Sequence, residues 1–174
     1  MDTTTIYRFL KNMTRGRRAY VDVLPCDQLK NISRHTFPLY LTVNNKPAGD
    51  PGEHWVAIHV RSKNGPVTFF CSYGLGIDFY PTEFKDFVQQ FNGPIIENIR
   101  PLQSFGSDVC GQYAIYFLYN KMNGCCIMST YCHFSSRTSS NDNKVRRFVK
   151  FKNHLLHGKC NIKKNIINQC CVKF

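Results

Sequence analysis

Apolar residues recur at helical spacing between Thr3 and Met13, where Ile6, Phe9, Leu10 and Met13 share one side behind a threonine run able to cap. The pattern predicts an amphipathic helix, ended by Arg15-Gly16-Arg17-Arg18. From Phe37 to Val43 and again from His54 to Arg61, β-branched and aromatic residues come in short runs bounded by Pro and Gly, the pattern of strands. Asn64-Gly65-Pro66 is a turn signal, so the run Val67 to Ser72 reads as a strand beside the second of these. Thr82 opens a helix with Glu83 and Asp86 in its first turn and Phe84, Phe87, Val88 and Phe91 on one side, closed by Asn92-Gly93-Pro94. Ile95 to Ile99 reads as a further strand. Cys110 to Met122 is apolar on nearly every face and stops at Asn123-Gly124, which describes a helix buried in the middle of the domain. Asn141-Asp142 is read as the cap of a last helix that turns Val145, Phe148, Val149 and Leu156 to one side.

Length and composition narrow this picture. A chain of 174 residues with 43% hydrophobic and 20% charged residues suits one folded domain rather than a disordered polymer. No repeat or interdomain linker interrupts it, and residues 1–152 are assigned to the domain with 153–174 as a basic tail. No apolar run reaches the roughly 18 residues of a membrane span, and Asp2, Arg8 and Lys11 stand where a signal peptide needs apolar residues, so a soluble, non-secreted chain is expected. Nine cysteines, an odd number, are then read as reduced thiols. Zinc is set aside because Cys125, Cys126, Cys132 and His133, followed by His154, His157 and Cys160, lack the paired spacing of structural sites.

The net charge is +12, and from Arg137 to Phe174 ten basic residues face one acidic residue, Asp142. Such a balance favours a polyanionic partner, nucleic acid ahead of an anionic membrane, against the plain alternative of a solvated positive face. Lys144, Arg146, Arg147, Lys150, Lys163 and Lys164 are the candidate contacts.

Chemistry is suggested by position. A cysteine at the start of a helix meets the positive end of the helix dipole and unpaired backbone N–H groups, both of which favour its thiolate, so Cys110 is the candidate nucleophile. His54, at a strand edge, is a candidate base, and Gln103, in the connector LQSFGSDVC, could bring its amide to an oxyanion. Each residue alone is more often structural: a histidine at a strand edge is usually satisfied locally, and a buried helix cysteine is usually inert packing.

Together, GEHW (Gly52 to Trp55), FCSYG (Phe70 to Gly74), Gln103 and DVCGQY (Asp108 to Tyr113) resemble the adenovirus-type cysteine proteases, in particular the copies in Polinton-type transposons and related viruses. Leu24-Pro25-Cys26-Asp27 and Asn141-Asp142 extend the resemblance from the first helix to about residue 152. It implies an α+β fold of papain-like geometry, shared with the SUMO-specific proteases, in which a mixed sheet packs on a central helix that carries the nucleophile. It also implies roles: Cys110 as nucleophile, His54 as base and imidazolium partner, Gln103 with the Cys110 backbone N–H as oxyanion hole, and Trp55 beside the histidine in the substrate-binding cleft.

The acid of the family motif is replaced by Cys71 in Cys71-Ser72-Tyr73-Gly74, and a thiol orients and stabilises an imidazolium poorly. A loss of about 10² to 10³ in turnover is expected. Asp78 or a water could instead take the role, or Cys71 and Cys110 could couple as a reversible disulfide. The implied activity is that of an endopeptidase of a virus or Polinton-like element cleaving capsid or precursor proteins at Gly-containing sites. The implied setting is the host nucleus or cytoplasm, or the virion, as a monomer without metal or covalent peptide cofactor, with DNA as activator. The alternatives are a weak or inactive protease-fold module binding nucleic acid or a capsid partner, and an enzyme acting on ubiquitin-like fusions.

Overall fold

A computed structural model describes residues 1–32 and 36–157. Five strands form one mixed sheet in the order β1 (Tyr20–Pro25), β2 (Leu39–Asn44), β3 (Trp55–Val60), β4 (Val67–Phe70) and β5 (Ile95–Glu97). The two outer pairs, β1 with β2 and β4 with β5, are parallel, and the inner pairs are antiparallel. Among the described residues five helices accompany it: α1 (Thr3–Met13), α2 (Thr82–Val88), α3 (Cys110–Met122), α4 (Ile127–Cys132) and α5 (Thr138–His157), with 3₁₀ turns at Cys26–Asn31 and Ile77–Phe79.

The sheet has a core on each face, as strand alternation dictates. On one face Ala57, Phe70 and Tyr40 pack with Ile6 and Phe9 of α1, most of α3, and Val145 and Val149 of α5. On the other, Leu39, Leu41, Ile58, Val60 and Phe69 pack with Cys26 and Leu29 of the first 3₁₀ turn and Phe84, Phe87 and Val88 of α2. Every residue of β2 is buried, with Leu39, Leu41 and Val43 in one core and Tyr40, Thr42 and Asn44 alternating between them. Phe117 of α3 stacks on Phe70 of β4 with ring centroids 4.5 Å apart and planes 7° from parallel, a pairing of about 1 kcal/mol beyond area burial that seats α3 on the sheet.

Three elements differ from the sequence reading. β1 forms where none is expected, with Val21 and Val23 turned to the α3 face and Tyr20 packing on the other. α4 is likewise unexpected, with the Cys126 thiol accepting from the Ser129 N–H at its start. Asn141 and Asp142 do not cap α5, which begins three residues earlier at Thr138. Both are buried within its first turns and brace the loop that leads to Cys110. Leu156 has its side chain outside the described residues, as do Cys160, Lys163, Lys164, Cys170, Cys171 and the rest of 158–174.

Candidate active site

Cys110 is the first residue of α3, and its side chain is half-buried against Trp55 of β3. Burial pushes the thiol up, while the backbone N–H groups of Trp55 and Gly111 donate to the sulfur and pull the other way. Space at position 111 is tight: a Cβ there would lie 3.2 Å from Ile6 Cδ1 and 3.3 Å from Met1 Cβ, so these neighbours would have to give by a few tenths of an ångström. Trp55 is held at both ends: its indole Nε1–H donates to the Met1 carbonyl at 3.1 Å and its backbone N–H reaches Cys110.

His54 immediately precedes β3. Its backbone is gripped by Asn45, whose Oδ1 accepts from the His54 N–H at 2.9 Å while its own N–H donates to the His54 carbonyl at 3.0 Å. The imidazole stacks on Tyr73, with centroids 4.9 Å apart, and lies farther from Tyr80 at 6.4 Å. Its Nε2 is 3.6 Å from Cys71 Sγ. Burial holds the imidazole down to about 4.

Cys71 is fully buried just after β4. Asn98, also fully buried, clamps its backbone from both sides: the Cys71 N–H donates to Asn98 Oδ1 at 2.7 Å and Asn98 Nδ2 donates to the Cys71 carbonyl at 2.5 Å. Around the sulfur, the Tyr80 hydroxyl donates at 2.9 Å and the Tyr73 N–H at 3.3 Å. A sulfur ringed by donors is an acceptor, so these neighbours suit a carboxylate at least as well as a thiol. Gly74 closes the turn at φ +72°, where a Cβ would meet the Arg100 carbonyl carbon at 2.6 Å.

Asp78, considered above as a replacement acid, does not reach this site. It is exposed in the second 3₁₀ turn and pairs with Lys85 at 2.8 Å. Cys71 and Cys110 are both thiols, with no disulfide between them.

Gln103 is joined to the same turn. The Ser72 N-terminal neighbour of Tyr73 accepts at its carbonyl from the N–H groups of Leu102 and Gln103, at 2.8 and 3.0 Å, and its hydroxyl donates to Gln103 Oε1 at 2.6 Å. With Oε1 taken, the amide turns its Nε2 to the Tyr73 hydroxyl at 3.1 Å and the Ser107 carbonyl at 2.7 Å. Behind it, the Tyr113 hydroxyl reaches the Leu102 carbonyl at 2.7 Å and Asp142 Oδ1 at 3.0 Å. The amide is therefore fixed through both its oxygen and its nitrogen.

The structure thus draws His54, Cys71, Trp55, Gln103 and Cys110 toward one end of β3 and α3, and adds Ser72, Tyr73, Tyr80, Asn45 and Asn98, which sequence reasoning did not single out as site residues. The basic candidates lie apart on α5. Arg146 is paired with Asp108 at 2.9 Å, Lys144 donates to the His133 carbonyl, and Arg147 and Lys150 are exposed. Among the described residues no three His, Cys, Asp or Glu side chains cluster as metal ligands.

The sequence matches no family model and no curated protein. Solved structures do match. The C-terminal protease domain of Ulp1, in complex with Smt3, the yeast ortholog of SUMO, superposes with a TM-score of 0.55 at 14% identity over 90% of this chain and 76% of that one. ChlaDub1 from Chlamydia trachomatis gives 0.56 at 12% identity over 90% and 79%. The Chlamydia trachomatis effector Cdu1, bound to ubiquitin, gives 0.50 at 15% identity over 90% and 78%. The mixed sheet, the central helix opening on Cys110 and these likenesses establish that the chain has the α+β, papain-like fold of Ulp1-type cysteine proteases.

Proposed function

We propose that the protein is a cysteine endopeptidase in which Cys110 is the nucleophile, His54 its base, Cys71 the partner that orients His54, and Gln103 with the Cys110 N–H the oxyanion hole. The observation that carries this reading is the run of contacts from His54 Nε2 to Cys71 Sγ and through Ser72 to the Gln103 amide, assembled beside the helix that Cys110 opens. His54 takes the Cys110 proton as sulfur bonds to the scissile carbonyl carbon, and the carbonyl oxygen becomes an oxyanion held by Gln103 Nε2 once the Tyr73 hydroxyl is displaced. As the C–N bond breaks, His54 returns the proton to the leaving amine. Water, deprotonated by His54, then cleaves the thioester and restores the thiol.

Proteins are the substrate class. Phe79, Leu75 and Phe105 are exposed on the turns that follow Cys71 and precede Cys110, apolar contacts suited to a protein surface. Following the resemblance of its motifs, the natural substrates are precursor proteins of a virus or Polinton-like element cut at Gly-containing sites, with DNA as activator through the basic residues of α5 and the tail. The Ulp1 and Cdu1 complexes favour testing ubiquitin-like fusions beside them. A second reading, a weak or inactive module of protease fold that binds nucleic acid or a capsid partner, is favoured by the surroundings of His54: among the described residues no carboxylate faces it, and burial keeps it neutral.

Hydrolysis of a fluorogenic Gly-Gly peptide, with and without DNA, by the natural protein, Cys110→Ala and Cys71→Asp separates the two. Cleavage by the natural protein that Cys110→Ala abolishes supports the peptidase. Cleavage by Cys71→Asp alone supports the disarmed module.

A further inference from the structure

We propose that the opposite end of α3 carries a second binding site, a pocket for a small molecule bearing a phosphoryl group. The cavity has a volume of about 610 Å³, within the range of small-molecule sites. It lies between the start of β2, the end of β3, β4 and the turn after α3, roughly 18 Å along the helix from Cys110 at 1.5 Å per residue.

Its lining is cationic: Arg61 and Lys121 contribute two positive charges, and no Asp or Glu is among the lining residues. Neither cation belongs to an ion pair among the described residues. His59, only 7% exposed, is among the lining residues; its ring packs on Tyr40 at 5.2 Å and its buried Nδ1 has no hydrogen-bond partner among the described residues. Burial and the two cations hold the imidazole neutral, so it can present one N–H donor. Burial likewise draws the Lys121 ammonium below its usual range, as expected of a cation without a counter-charge.

An arginine fork, an ammonium and an imidazole N–H around a shared space match the several oxygens and double charge of a phosphate monoester. Pro38, Ile96, Met122 and Ile127 leave apolar wall for an organic group attached to it. The buried position of His59 favours a small ligand over a duplex backbone, which could reach only the exposed Arg61.

The test is thermal unfolding of the full chain at constant ionic strength with inorganic phosphate, AMP or a short DNA duplex, against sodium chloride. Phosphate or AMP at ten times its dissociation constant should raise Tm by about 3–5 °C. The shift should vanish in Arg61→Gln/Lys121→Gln, whose side chains are exposed and half-exposed so that the fold is kept, and should persist in Lys163→Ala/Lys164→Ala. Tighter binding of AMP than of phosphate assigns the apolar wall to an organic group, and equal binding assigns the site to free phosphate. In either case the ¹⁵N shifts of the His59 imidazole should move on titration. No Tm shift, a shift that survives the Arg61/Lys121 substitutions, a response to the duplex alone, or unmoved His59 shifts would overturn the proposal.

Discussion

Two histidines, five residues apart at the start of β3 and within it, are both stripped of charge by burial, and their surroundings otherwise differ in almost every respect. His54 has its backbone gripped by Asn45, its ring stacked on Tyr73 and its Nε2 against the Cys71 sulfur. His59 has Arg61 and Lys121 around it and a nitrogen without a partner. One imidazole has the partners already described, and the other has a nitrogen without a partner among the described residues. Desolvation alone therefore says little about use; the groups facing the ring decide it.

The largest effect should come from giving His54 the negative charge it lacks. Cys71→Asp places a carboxylate among the donors of Tyr80 and Tyr73, and kcat/KM for the Gly-Gly peptide should rise by about 10² to 10³. The same change should carry alkylation of Cys110 down to pH 6, where the natural protein, with its thiol raised and imidazole lowered, reacts slowly. An unchanged pH profile in this variant would erase the distinction drawn for His54.

Gln103→Ala, tested in the most active background, should lower kcat by about 10² with little change in KM, because the amide acts on the oxyanion and not on bound substrate. A loss confined to KM would instead assign Gln103 to substrate binding. Tyr80→Phe removes a donor from Cys71 and should cost about two- to tenfold in kcat.

The smallest effect concerns acid stability. Both folded-state imidazoles bind protons less readily than an unfolded histidine near 6.5, with His54 at about 4 and His59 at about 3. Their contribution is thus complete above pH 6.5 and is lost as the pH falls toward 4 and then 3, so Tm should decline across that window. His59→Gln should make the decline shallower, most clearly below pH 4; an equal slope would mean that His59 is charged in the folded protein.

Much of the scaffold was legible in sequence because burial wrote it at regular spacing. α1 and α3 fall on the expected residues, since one has a clean polar face and the other a turn signal directly after it. β1 carries the same kind of signal in Val21 and Val23, but it is a short edge strand behind a run of arginines and includes Asp22, whose carboxylate accepts from the Tyr20 hydroxyl. The polar supports were less legible for another reason. Tyr80 and Asn98 reach Cys71 from 9 and 27 residues away through a 3₁₀ turn and an edge strand, contacts that no local period encodes. Asn141-Asp142 has the residue types of a helix cap, and only tertiary structure reveals that the pair supports the Gln103 loop.

The hydrogen bond from Trp55 to the Met1 carbonyl bears on how the protein is handled. It ties the segment ahead of α1 to the indole beside Cys110, so any peptide joined ahead of Met1 would emerge there at the high effective concentration of a tethered ligand. An affinity tag placed at that position would compete with substrate in every turnover assay, and the reporter of choice for this protein is one that leaves residue 1 unextended.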